Sequence, residues 1–85
     1  MKLNFLNSDS RTWIAEALQS KYPCATVVEI LPVSHVIGRR FAIYAGSDLL
    51  LKEVIMPWEK MYAAKDLRAL IKLYQDITRE TFGLE

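Results

Sequence analysis

One cysteine, one histidine, three glycines and three prolines stand among 85 residues, and each scarcity closes off a class of protein. Cys24 alone forms no internal disulfide and builds no cysteine-based zinc site. A single free thiol fits a reducing compartment, and Cys24 reads as a small buried or half-buried hydrophobe rather than a nucleophile. His35 has no second histidine with which to hold a metal. With so few glycines there is no phosphate-cradling loop, no nucleophile elbow and no flexible linker. No apolar run approaches the roughly 20 residues that cross a membrane. Residues 1–6 are too short and too polar for a secretory core segment. A cytoplasmic protein is expected.

Charge of either sign is not in excess. Eleven basic residues face ten acidic ones, so nothing draws the whole chain to nucleic acid or anionic membrane. What is plentiful is apolar surface. Hydrophobic residues make up 52% of the chain, slightly above the usual share. A domain this small buries only about 60% of the surface its unfolded chain exposes. Part of the apolar excess is therefore expected on the outside, where it marks a partner.

Three prolines and the hydrophobic periodicity divide the chain. Ser8, Asp9 and Ser10 can each cap a helix. Trp13, Ile14, Ala17, Leu18 and Tyr22 then recur on one helical stripe, and Pro23 ends it. Residues 25–31 are rich in β-branched side chains and predict a strand, with Val27 and Leu31 on one face and Val28 and Ile30 on the other. Residues 40–45 predict a second strand, with Phe41 and Ile43 opposite Tyr44. Gly46 supplies the tight reversal into a third strand over 49–56. From Pro57 to Phe82 the pattern is helical, along Leu67, Leu70, Ile71, Tyr74 and Ile77. It breaks near 63–66, where Asp66 is a possible second N-cap, so one helix or two are both open. Lys72 and Asp76 stand at i, i+4, and Gly83 suits a C-terminal cap. Leu84 and Glu85 look like a cloning remnant and carry no weight. The expected fold is a single α+β domain over residues 1–85. Its order is α-β-β-β-α, a three-stranded antiparallel sheet packed by an N-terminal helix and a long C-terminal helix.

Four groups of residues are candidates for function. His35 titrates near neutrality but lacks partners in sequence. It is a weak catalytic candidate and more simply a solvated histidine in the connection between two strands. Arg39 and Arg40, with Lys65, could grip a phosphate or carboxylate. Adjacent residues of a strand point to opposite faces, however, and the two arginines need not converge. Met56, Trp58, Met61 and Tyr62 have the composition of a protein-binding hot spot, or else of ordinary core. Glu29 and Glu53 could approach each other across the sheet, but pairing with Lys52, Arg39 or Arg40 is the simpler expectation. No cofactor or metal is implied.

The element order resembles that of double-stranded-RNA-binding domains and of small ribonuclease toxins of the HicA type. Ser34-His35 before a strand, Met56-Pro57 at the end of the third strand, and Asp66-Leu67-Arg68 opening a helix are similar to the toxin pattern. That resemblance implies RNA cleavage with His35 as the catalytic residue. The chain departs from it in carrying Val33 where the pattern has glycine before the Ser-His pair, and in lacking strong basic charge. Its last helical segment is also longer, and only Lys60 and Lys65 stand for the lysine-rich start of the last helix of RNA binders. No family assignment follows. The expected function is therefore a small non-enzymatic interaction module, a homodimer through an apolar sheet or helix face. Nucleic-acid binding is the alternative.

Overall fold

The structure, a computed structural model, describes residues 10–30, 37–46 and 48–84. The chain runs α1 (Arg11–Leu18), β1 (Ala25–Ile30), β2 (Gly38–Ala45), β3 (Leu49–Pro57), α2 (Trp58–Ala63) and α3 (Leu67–Phe82). The three strands form one antiparallel sheet in the order β1-β2-β3, and α1 and α3 pack together against one face of it. The α+β reading holds, and the C-terminal segment is two helices.

Local chemistry explains the boundaries. Asp66 caps α3, its Oδ1 accepting from the Ala69 amide at 2.9 Å, and this separates α3 from α2. Gly83 ends α3 at φ 70°, a left-handed conformation that favours glycine. Lys72 and Asp76 form the expected i, i+4 ion pair at 2.7 Å. Ser10 occupies the cap position of α1, but its hydroxyl makes no cap hydrogen bond. Ser8 and Asp9 lie outside the described residues. Leu84 packs against the core, so that residue has structural weight after all. Cys24 is exposed, not the buried hydrophobe the sequence suggested. It follows Pro23 in the turn between α1 and β1.

The strand register sorts the side chains. The inner face of the sheet carries Val27 and Glu29 on β1, Arg39, Phe41 and Ile43 on β2, and Val54 and Met56 on β3. Phe41, Ile43, Val54 and Met56 join Ile14 and Leu18 of α1, Met61 of α2 and Leu70 and Tyr74 of α3 in the core. Tyr74 is its hub, with its ring edge-on to both Trp13 and Phe41 at centroid distances of 5.3 and 6.0 Å. The outer face carries Val28, Ile30, Arg40, Ala42, Tyr44, Leu50, Glu53 and Ile55.

Candidate functional site

β2 begins at Gly38, two residues earlier than its apolar pattern indicates. Arg39 therefore lies inside the sheet, in step with Phe41 and Ile43, and faces the core. Its side chain is only 3% exposed. Nε and Nη2 donate to the two carboxylate oxygens of Glu29 at 2.8 and 2.7 Å, and Nη1 donates to the Tyr74 hydroxyl at 2.9 Å. That hydroxyl donates onward to Met61 Sδ at 3.3 Å. The guanidinium also lies 5.2 Å from the Phe41 ring centroid. Burial alone would lower the pKa of Arg39, but the hydrogen bonds and charges of Glu29 and Tyr74 outweigh it and hold the pKa above its ordinary value. Burial raises the Tyr74 pKa, and the facing Arg39 charge only partly offsets this. Arg39 is thus committed to the core and does not present its charge to an external anion.

Arg40 points the other way, as strand alternation requires. Its Nε and Nη2 donate to Glu53 Oε1 at 3.3 and 2.7 Å on the outer face. Glu29 and Glu53 are consequently on opposite faces, each paired with an arginine, and do not form a carboxylate dyad. Lys65 is exposed between α2 and α3, and the three cations of the anion-binding hypothesis do not converge. His35, with Ser34 and Val33, lies outside the described residues.

The methionine–aromatic group divides. Met56 and Met61 are fully buried and offer nothing to a partner. Trp58 is half-buried and Tyr62 is 55% exposed, with their rings stacked at 6.2 Å and 28°. The inward turn of Met56 and Met61 follows from the packing of α2 over the end of β2 and β3.

The largest feature the hot-spot reading missed is the outer face of the sheet. No described helix covers it. Val28 is 45% exposed and Leu50 is 50% exposed, next to half-buried Ile30, Tyr44 and Ile55. Its signal was present in the sequence as the second apolar set of each strand, out of phase with the core set.

Elsewhere the surface is shallow. One cavity of about 250 Å³ is lined by Arg11, Thr12, Ala15 and Val27. Another of about 200 Å³ borders Lys21, Tyr22, Cys24 and Gly46. Neither draws more than one charged side chain together. Among the described residues no group of three or more His, Cys, Asp or Glu is placed to hold a metal ion, and no helix is long and apolar enough to cross a membrane. Comparison with protein-family models, curated proteins and solved structures finds no match.

Proposed function

We propose that the protein is a small non-enzymatic interaction module that pairs with a second copy of itself through the outer face of its sheet. The observation that carries this reading is the exposed apolar area of Val28 and Leu50 beside Tyr44, Ile30 and Ile55. An antiparallel sheet can leave a polar face to water, but apolar area left on its outer face marks a contact surface. A second copy fits because the same face bears both charge signs, Arg40 and Glu53. A two-fold interface must be complementary to itself. A net charge of +1 adds little repulsion between copies.

Sedimentation equilibrium on the full chain tests this. The expected mass is twice the chain mass of 9.8 kDa. Val28→Asp, a change on an exposed site, should return it to the chain mass with an unchanged circular dichroism spectrum. A wild-type monomer at high micromolar concentration would overturn self-association.

Nucleic-acid binding, with or without ribonuclease chemistry at His35, has less support. Arg39 is tied to Glu29 and Tyr74, and Arg40 to Glu53. Titration of labelled duplex RNA at low salt tests that reading, and no binding below about 100 μM would end it.

A further inference from the structure

The Arg40–Glu53 pair is the only charged feature among the described residues of the outer sheet face, and it uses only part of its hydrogen-bonding capacity. Arg40 Nε and Nη2 both donate to a single oxygen, Glu53 Oε1. Among the described residues, Arg40 Nη1 donates no hydrogen bond and Glu53 Oε2 accepts none. The two side chains are 32% and 40% exposed, and Nη1 lies on the guanidinium edge turned away from Glu53, open to a group beyond the pair. Arg40 lies between Ile30 and Ile55 in the strand register, and Ala42 lies beside Glu53, with Val28 beyond it on β1.

One cation beside one anion on the same face is complementary to its own image. A two-fold axis running between the two side chains, parallel to the sheet, sets each arginine over the other copy's glutamate. Stacked sheets lie about 10 Å apart, a gap that an arginine and a glutamate projecting from opposite sides can span. The neighbouring apolar side chains then help to shield the charges from water, and a pair satisfied on both sides tolerates that burial better than one left half-bonded.

Resting on the self-association proposed above, we infer that two Arg40–Glu53 pairs meet across this axis as a ring of four alternating charges. In the ring each Arg40 Nη1 donates to the partner's Glu53. The ring sets the register of the dimer, because sliding one sheet over the other brings like charges together.

Charge reversal reads the contact directly. Arg40→Glu places four carboxylates at the centre of the interface, and Glu53→Arg places four guanidiniums there. Each variant should weaken the dimer at least about tenfold, since like charges juxtaposed across an interface cost several kcal/mol. An equimolar mixture of the two variants should form a dimer with one copy of each, because each acidic pair then faces a basic one. The variants differ in mass, so native mass spectrometry resolves the species. Circular dichroism of each variant confirms folding at these surface positions. If the wild type dimerises, and each variant dimerises as well and mixes statistically, the ring is overturned while self-association stands. If the wild type is a monomer, both are overturned.

Discussion

Arg39 and Glu29 are diagonal neighbours on adjacent strands in the inner layer of the sheet, joined by two parallel hydrogen bonds of 2.8 and 2.7 Å. The pair is closed from above by the Tyr74 hydroxyl on α3. It ties β1 to β2 and the sheet to the last helix, through side chains 10 and 35 positions apart in sequence. Removing one partner from a buried pair leaves an uncompensated charge and typically costs about 3–5 kcal/mol. Glu29→Leu strands the almost fully buried guanidinium and should be the more damaging change. Arg39→Met leaves Glu29 with some access to water, its side chain being 17% exposed, and should fall at the low end of that range. The double variant should recover most of the loss. Urea denaturation of all four proteins gives the coupling, and additive losses would show that the pair does not act as a unit.

Tyr74 makes a prediction for alkaline stability. Burial raises its folded pKa above the ordinary value of 10.0, against the opposing pull of Arg39. A group with a raised folded pKa gives stability that is complete below its unfolded pKa and is lost as pH rises through the folded one. Tyr74 therefore leaves stability unchanged between neutrality and about pH 10, and lowers it above that as unfolding releases the proton more easily. The Arg39 pKa is also raised, so the guanidinium stays charged across this range. Tm measured from pH 7 to 11 in wild type and Tyr74→Phe checks the assignment. The variant should be less stable at neutral pH, by about 1 kcal/mol for the lost hydrogen bond, and its deficit should shrink above pH 10.

The break between α2 and α3 depends on one carboxylate. Asp66→Ala removes the acceptor for the Ala69 amide and should cost about 1 kcal/mol, or about 4–8 °C in Tm for a domain of this size. Asp66→Asn should retain most of the cap. Thermal melts of the two variants side by side separate loss of the cap from loss of negative charge.

The fold was legible where periodicity and punctuation agreed. Phe41 and Ile43 against Tyr44, the stripe from Leu70 to Tyr74, Asp66 and Gly83 all stood where their pattern put them. The site was less legible. Arg39 was hidden because the apolar alternation of β2 starts at Phe41, and a charged residue gives no sign of belonging to the inner face. Only the partner carboxylate on β1 and the hydroxyl on α3 make that position tenable, and both are long-range contacts. Met56 and Met61 have the composition of an interface, but composition does not say which way a side chain turns once α2 folds over the sheet. The outer face was encoded in Val28 and Ile30 from the start. What the sequence could not show was that both helices pack on the other side.

Gly38 packs its backbone tightly against the end of β3, and it was easily mistaken for a loop residue before two arginines. It pairs with Pro57, and the neighbouring Ile37 carbonyl accepts from the Trp58 amide at 2.9 Å, drawing the start of α2 against the start of β2. A Cβ at position 38 would lie 1.9 Å from the Met56 carbonyl oxygen and 2.8 Å from Pro57 Cα. Both are backbone atoms, so no side chain can move aside and the strands themselves must part. Gly46 is the contrast, with φ +71° but open space around its absent Cβ. Gly46→Ala should cost only the local conformational penalty of about 1–2 kcal/mol. Gly38→Ala should cost more than about 3 kcal/mol, in the range reserved for steric clash within a packed structure. It should also loosen α2, which hangs from the same corner. Guanidinium denaturation gives the two stabilities, and hydrogen exchange at the Trp58 amide reports on the corner. Equal losses at the two glycines would mean that the close approach at position 38 does not constrain the fold.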